Sequence, residues 1–186
     1  MKRVGLLMGC FNPIHNSHIA LAENILKEGL VDEVEVIPAK DNLNIKDVVI
    51  TKAEDRLNMI NLALAGKKSI KVNTVEIDSD RQLYTYETLK KVKEDRELYL
   101  ILGSDNLKNL DNWRNPEEIL SNYKIIVTPR DSDNVEEIIE NNRLKCVELQ
   151  LPRFRGHGNG NVVADDVEGD LVNHFGDYRV YFSGHY

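Results

Sequence analysis

Short apolar segments alternate with segments of helical periodicity along most of this chain, and this alternation most constrains the fold. Short apolar runs are typical of buried strands, whereas apolar residues spaced three and four apart indicate helices. Buried strands are predicted at Val4–Met8, Val34–Ala39, Ile70–Ile77, Leu98–Leu102 and Lys124–Thr128. Helices are predicted at Ser17–Glu28, at Thr51–Gly66 with Thr51 opening a capping box, at Thr85–Lys93, and from Pro116 onward. Strands with helical connections predict an open, mostly parallel α/β sheet with helices on both faces.

The composition changes after Lys145, which is the last lysine of the chain. Six of the 11 glycines lie between Gly156 and Gly184, in a segment without a clear strand or helix period. Such a segment favours loops and also permits mobility. We therefore predict an α/β domain at residues 1–150 and an atypical, loop-rich tail at 151–186. Further elements are predicted as a helix at Val135–Ile139 and short strands at Cys146–Leu151 and at residues 178–182.

Charge and cysteine content restrict the partners and the compartment. The formal net charge of -7 argues against non-specific binding to nucleic acid or to an anionic membrane, since both require a basic face. No apolar run approaches the roughly 18 residues of a membrane-spanning helix. The run Val4–Met8 before Gly-Cys is also shorter than the core of a typical secretory signal. Two cysteines, Cys10 and Cys146, are too few for a disulfide framework, which predicts a reducing, cytoplasmic setting.

The segment "GCFNPIHNSH", residues 9–18, follows the first predicted strand and leads into the first predicted helix. Gly9 allows a ligand to approach the backbone closely. His15 precedes the helix and His18 lies in its first turn, so both side chains can face one space. Free amides and the helix dipole favour an anion at that end, and two imidazoles suit a phosphate group. Ordinary helix-start histidines are the alternative, and zinc is weaker because no third and fourth ligand has suitable spacing.

This segment resembles the Gly-x-Phe-x-Pro-x-His-x-Gly-His signature of the HIGH-type nucleotidyltransferases, with Ser17 in place of the usual glycine. Three further segments are similar to nicotinate-nucleotide adenylyltransferases: "EDRLNMINLAL" at 54–64, "YTYETL" at 84–89 and "LILGSDNLKNLDNW" at 100–113. The resemblance implies a Rossmann-like fold. It also implies an enzyme that transfers the adenylyl group of ATP to nicotinate mononucleotide, giving deamido-NAD and pyrophosphate.

The resemblance also implies roles for individual residues. Catalysis would rest on His15 and His18, with Mg²⁺ held mainly through substrate phosphates and no dedicated protein ligands. ATP would be bound by Gly9, Cys10, Phe11, His15, His18, Lys46, Gly103 and Asp105. The nicotinate nucleotide would be bound by Tyr84, Thr85 and Trp113, with Trp113 stacking on the ring. On the residues alone, two alternatives stay open: Trp113 as a packing anchor for the Pro116 helix, and Thr85 as a helix cap.

Two departures from the family pattern leave the activity open. The loop "PAKDNLNIK" lacks the Pro-Pro-His-Lys pattern of the family, so the phosphate-binding role of Lys46 is left open. The Ile-Ser-Ser-Thr-x-x-Arg motif, which holds the triphosphate in the family, has no match in residues 153–186. A nucleotide-binding homologue with weakened catalysis is therefore a second hypothesis, and a sister transferase acting on another small phosphate is a third. The roles of His157, His174 and His185 and the oligomeric state are left open.

Overall fold

The computed structural model describes residues 1–41, 50–128 and 137–138, together with the backbone of 179–182. Two compact units divide the chain, Met1–Leu100 and Ile101–Tyr186. Several predicted features lie outside the described residues, namely Lys46, the strand at Cys146–Leu151, most of the tail and the boundary at residue 150. The division into a 1–150 domain and a 151–186 tail therefore stays a prediction.

Parallel strands form the centre of the first unit. Strand β1 (Lys2–Gly9) pairs in parallel with β2 (Glu33–Pro38), and β2 pairs in parallel with β3 (Ile70–Val72). The order of strands is β3-β2-β1-β4, where β4 is Arg96–Gly103 and continues into the second unit. The middle of β1 and all of β2 are buried, as expected for strands covered on both faces.

Three helices connect these strands: α1 (Asn16–Lys27), α2 (Ala53–Ala63) and α3 (Thr85–Val92). The end of α1 shows why it stops where the sequence predicts. Gly29 has a φ of +67°, in the left-handed region that glycine adopts without strain. The Leu30 amide then donates to the carbonyl oxygen of Ile25 at 3.2 Å, which closes the last turn.

The second unit begins within β4 and contains shorter elements. They are α4 (Ser104–Lys108), a 3₁₀ turn (Leu110–Asn112), α5 (Pro116–Asn122), β5 (Lys124–Thr128) and β6 (Arg179–Phe182). Strand β6 pairs antiparallel with β5 and places Arg179 opposite Val127. The order here is β4-β5-β6. Pro116 is the first residue of α5, as predicted.

The predicted fold class is confirmed. Five parallel strands with connecting helices form an open, Rossmann-like sheet, and β6 is the one antiparallel strand among the described residues. The short strand predicted at residues 178–182 is confirmed by β6. Within the described part of the chain, no helix is long and apolar enough to cross a membrane.

One predicted strand is too long. The sequence predicts a strand at Ile70–Ile77, but β3 ends at Val72. The Asn73 side chain accepts a hydrogen bond from the Val75 amide at 3.0 Å and donates to a Glu35 carboxylate oxygen at 2.7 Å. These bonds turn the backbone away from the strand, because an asparagine side chain competes with the ladder for backbone groups.

The capping box predicted at Thr51 is also wrong. Helix α2 begins at Ala53, and the residue in the N-cap position is Lys52, with no hydrogen bond from its side chain. The backbone of Thr51 is engaged elsewhere: its amide donates to the Asn12 side chain at 3.1 Å, and its carbonyl oxygen accepts from Arg56 Nε at 2.9 Å. Contacts distant in sequence therefore set the start of this helix.

Candidate active site

The opening motif begins where β1 ends, at Gly9. The Gly9 carbonyl oxygen accepts a hydrogen bond from the Ala39 amide at 2.8 Å, which ties the ends of β1 and β2 together. A Cβ at Gly9 would lie 3.5 Å from the Phe11 ring, which is ordinary van der Waals contact. Packing therefore does not require glycine here, and ligand access to the backbone remains the predicted role of Gly9.

Phe11 reverses the chain between β1 and α1. Its side chain is only 5% exposed, and its φ is +47°, a left-handed conformation that is rare for an aromatic residue. The Phe11 ring meets the His18 ring edge-on, with 5.1 Å between centroids and an interplanar angle of 81°. This contact places the His18 ring against a buried aromatic side chain.

The two histidines share one space, as their spacing predicts. His15 occupies the N-cap position of α1 with an extended backbone, and His18 lies in the first turn. The ring centroids are 3.7 Å apart, and the ring planes are tilted by 33°. The His15 amide donates to Nδ1 of His18 at 3.3 Å, so the side chain of one helix residue binds the backbone just before the helix. Both imidazoles therefore lie at the positive end of α1.

The hydrogen bonds indicate which ring nitrogen carries the proton. Because Nδ1 of His18 accepts from the His15 amide, the proton of the neutral His18 ring belongs on Nε2. The hydroxyl of Ser17, the residue that departs from the family signature, is hydrogen-bonded to Nδ1 of His15. If Ser17 donates, His15 also carries its proton on Nε2. Both rings then present an N–H donor suited to a phosphate oxygen.

Cys10 lies between Gly9 and Phe11 and is partly buried. Burial raises the pKa of its thiol, and the positive charge of Arg56 offsets only part of that effect. A thiol with a raised pKa is a poor nucleophile. The chemistry of this loop therefore favours binding through the backbone over a covalent intermediate on sulfur.

Arg56 is a residue to which sequence reasoning gives no individual role. It lies on α2, is 1% exposed, and donates from Nη1 to the Cys10 carbonyl oxygen at 2.6 Å. A signal was available, because Arg56 and the fully buried Ile60 lie four residues apart and so share a helix face. The arginine thus lies directly behind the opening motif.

The segment predicted to bind the second substrate surrounds the start of α3. Tyr84 occupies the N-cap position and is 39% exposed, and Thr85 is the first helical residue. The interpretation of Thr85 as the cap is wrong, because a Glu87 carboxylate oxygen accepts the hydrogen bond from the Tyr84 amide at 2.9 Å. Arg81 pairs with the same carboxylate through both terminal nitrogens, and these bonds lower the pKa of Glu87 to about 2.

A buried carboxyl group supports this segment from behind. Glu76 is 3% exposed and accepts hydrogen bonds from the Thr88 hydroxyl at 2.7 Å and from Gln82 Nε2 at 2.6 Å. Burial raises the pKa of Glu76, and the two hydrogen bonds offset part of the rise. Glu76 therefore holds both ends of the turn that carries Tyr84 and Thr85. Sequence reasoning missed it because residue 76 was assigned to a strand.

The remaining described residues of the predicted site belong to the second unit. Gly103 ends β4 and occupies the N-cap position of α4, where Asp105 lies exposed in the first turn. Trp113 follows the 3₁₀ turn with an extended backbone and is partly exposed. Partial exposure suits both a stacking platform and a packing anchor, so both interpretations of Trp113 stay open.

Of the predicted site residues, the structure brings Gly9, Cys10, Phe11, His15 and His18 together in one place.

A comparison with protein families identifies the class to which this fold and site belong. The model of the cytidylyltransferase-like family matches residues 6–155, so the chain belongs to the cytidylyltransferase-like family. Within it, the relatives point to one activity. A probable nicotinate-nucleotide adenylyltransferase of Dehalococcoides mccartyi is 39% identical over 132 residues, covering 69% of this chain and 65% of the relative. One of Bordetella avium is 38% identical over 136 residues, covering 73% and 68%.

Solved structures agree at the level of the fold. The nicotinic acid mononucleotide adenylyltransferase of Plasmodium falciparum, complexed with NaAD, superposes with a TM-score of 0.64 at 23% identity. That match covers 75% of this chain and 71% of the other. The resemblance to nicotinate-nucleotide adenylyltransferases that the sequence predicts is confirmed by the curated relatives. The chain spans 65% of the length of the Dehalococcoides relative, so the activity of the whole protein is a proposal.

Proposed function

We propose that this protein transfers the adenylyl group of ATP to nicotinate mononucleotide, giving deamido-NAD and pyrophosphate in NAD biosynthesis. The observation that carries the proposal is the pair of imidazole rings, His15 and His18, 3.7 Å apart at the start of α1. Relatives at 38% and 39% identity are named as probable enzymes of this activity. An anion is the ligand that this end of a helix favours, and ATP supplies one.

The chemistry requires positioning and charge stabilisation. The 5′-phosphate of nicotinate mononucleotide attacks the α-phosphorus of ATP in line, and the bond to pyrophosphate breaks. Negative charge that develops on the phosphate oxygens is stabilised by Nε2–H donors of His15 and His18 and by the dipole of α1. No covalent enzyme intermediate is needed, which agrees with the raised pKa of the Cys10 thiol.

Mg²⁺ is proposed as the metal. Among the residues that the structure describes, no cluster of three or more His, Cys, Asp or Glu side chains is arranged to hold a metal ion. A magnesium ion that keeps several waters and binds mainly through substrate phosphates needs no dedicated cluster of protein ligands. When bound there, the metal neutralises phosphate charge.

The other residue assignments extend the proposal to the rest of the site. Phosphate binding is assigned to the backbone of residues 9–11 and to Lys46, with Gly103 and Asp105 contacting the nucleotide. The nicotinate ring would stack on Trp113, and the backbone near Thr85 would meet its carboxylate. ATP and nicotinate mononucleotide are the proposed partners, without nucleic acid or membrane, in a cytoplasmic setting.

A second candidate is a nucleotide-binding homologue with weak turnover. It is favoured by one observation: the family match ends at residue 155, and residues 153–186 contain no Ser-Ser-Thr-x-x-Arg motif. An uncradled triphosphate loses charge-assisted hydrogen bonds, each contributing about 1.5–3 kcal/mol, and the loss of two slows a reaction about a hundredfold or more. The sister-transferase hypothesis differs only in the acceptor.

One assay separates these candidates. The purified full chain is incubated with ATP, Mg²⁺ and each of three acceptors: nicotinate mononucleotide, its amide, and phosphopantetheine. Pyrophosphate release is followed, with a reaction lacking acceptor as the control. The proposal expects release with nicotinate mononucleotide and a far lower kcat/KM for the amide. A preference for another acceptor would establish the sister transferase, and ATP binding without release would establish the weakened homologue.

A further inference from the structure

Arg56 is a buried, charged side chain whose hydrogen bonds, within the described part of the chain, all go to main-chain oxygens. It is 1% exposed, and its three nitrogen atoms reach three separate segments. Nη1 donates to the Cys10 carbonyl oxygen at 2.6 Å, Nη2 to that of Lys40 at 3.0 Å, and Nε to that of Thr51 at 2.9 Å. None of these three partners is a carboxylate, so among the described residues the guanidinium is hydrogen-bonded to carbonyl dipoles and not to an anion.

Filling space alone does not account for this side chain. Removing a guanidinium from water is costly, and apolar side chains of similar volume fill such positions at least as well. The same helix face presents the apolar Ile60 one turn later, fully buried. The charge and the forked geometry of Arg56 therefore point to a role beyond packing.

The Cys10–Phe11 peptide shows what Arg56 controls. The cis peptide bond described in this loop is Asn12–Pro13, so the Cys10–Phe11 bond is trans. In a trans peptide the carbonyl oxygen and the amide hydrogen point in opposite directions. Because Arg56 binds the Cys10 carbonyl oxygen, the Phe11 N–H points away from Arg56.

This orientation has to be imposed on the chain. Phe11 has a φ of +47°, which is unfavourable for a bulky residue and persists only where its surroundings enforce it. Two contacts do so: the bond from Arg56 to the preceding carbonyl oxygen, and the burial of the Phe11 ring, which makes a T-shaped contact with the His18 ring. Arg56 also joins this loop to Lys40, just after β2, and to Thr51, just before α2.

We propose that Arg56 is a positioning residue that turns the Cys10–Phe11 peptide so that the Phe11 N–H joins His15 and His18 in binding one phosphate group. The identity of that phosphate, as part of the ATP chain, rests on the proposed function. The positioning role itself concerns any phosphate anion. The buried charge also adds to the positive potential on this side of the loop.

Inorganic pyrophosphate is the probe, because its binding requires no turnover. Arg56→Lys keeps the charge but cannot bridge three carbonyl oxygens, and Arg56→Met keeps much of the volume without the charge. Both variants should raise the Kd for pyrophosphate by about tenfold or more, as expected for the loss of a charge-assisted contact. Ile60→Val is the matched control: it removes a buried methyl group from the same helix face and should leave the Kd unchanged at a temperature where the variant is folded.

A measurement on the unaltered chain keeps the test independent of variant folding. The Phe11 amide resonance should shift on titration with pyrophosphate in the wild type, and that shift should be lost in Arg56→Lys. The proposal is overturned if wild type does not bind pyrophosphate, if the Phe11 amide does not respond, or if folded Arg56→Lys binds with wild-type affinity. Absence of adenylyl transfer, with these binding results intact, would refute the proposed function alone.

Discussion

The imidazole rings of His15 and His18 lie 3.7 Å apart between centroids, because the amide of the first donates to Nδ1 of the second. This bond turns both side chains towards one side of the start of α1. Because Nδ1 of His18 accepts this bond, Nε2 is the donor of the neutral His18 ring, and it lies at the end of the helix that favours an anion. The pair is therefore suited to a ligand that carries or develops negative charge.

Replacing His18 by alanine should lower adenylyl transfer by about a hundredfold to a thousandfold, the usual cost of losing a donor that stabilises transition-state charge. The fold should persist, because His18 is only partly buried. Steady-state kcat with ATP and nicotinate mononucleotide is the measurement, with far-ultraviolet circular dichroism as the check on folding. Asn16→Ala, an exposed change in the same helical turn, is the matched control. Turnover by His18→Ala equal to that of the control would remove the proposed role.

The Ser17 hydroxyl should contribute a smaller effect through His15. It is hydrogen-bonded to Nδ1 of His15, and when it donates, the proton of the His15 ring lies on Nε2. Ser17→Ala should lower kcat by about twofold to tenfold, the range expected for one neutral hydrogen bond. Ser17→Thr keeps a hydroxyl and should stay near the wild-type rate. Equal rates for all three proteins would show that the departure from the family glycine has no catalytic consequence.

Glu76 should make the stability of the protein depend on pH. Burial raises its pKa above the ordinary value of 4.5, so the folded state favours the protonated carboxyl group. The resulting stabilisation is fully present below the unfolded pKa and is lost as pH rises through the folded pKa. The free energy of unfolding, measured in urea, should therefore fall from pH 4.5 upward in the wild type and fall less in Glu76→Gln.

Glu87 supplies a control, because its effect on the free energy of unfolding changes with pH in the opposite direction. Its pKa is lowered to about 2 by Arg81 and the Tyr84 amide, so its contribution is present above the unfolded value and lost as pH falls towards about 2. Glu87→Gln should therefore remove this loss on the acid side, lower the free energy of unfolding by a constant amount above pH 4.5, and leave its slope there unchanged. If the free energies of unfolding of Glu76→Gln and of the wild type change in parallel above that pH, the Glu76 carboxyl group does not cause the pH dependence.

The parts of the fold and the site that the sequence predicts depend on short-range patterns. Apolar runs locate β4 and β5, and the spacing of His15 and His18 across the helix start already implies that their side chains face one space. The predictions are wrong where hydrogen bonds to residues distant in sequence determine where an element begins or ends. Thr51 loses its capping role because Asn12 and Arg56 bind its backbone. The spacing of Arg56 and Ile60 indicates a shared helix face, but no local pattern states which carbonyl groups will surround a buried side chain.

Shortening the chain tests the role of the tail in stability. Strand β6 pairs with β5, so a chain that ends at Gln150 leaves one edge of β5 without that neighbour. We expect the melting temperature to fall by several degrees, while turnover below that temperature changes little. Scanning calorimetry and the pyrophosphate assay give the two quantities. Loss of a robust turnover in a shortened chain that is still folded would place catalytic residues in the tail, with Arg153 and Arg155 the first to test.

The central claim is that the α-phosphorus of ATP moves to the nicotinate nucleotide. The most direct test follows two labels, one on the α-phosphate and one on the γ-phosphate of ATP, in separate reactions with nicotinate mononucleotide and Mg²⁺. The account predicts the α label in deamido-NAD and the γ label in pyrophosphate, in equal amounts. It would be contradicted by a γ label in the acceptor, which indicates a kinase, or by an α label released as AMP without any dinucleotide.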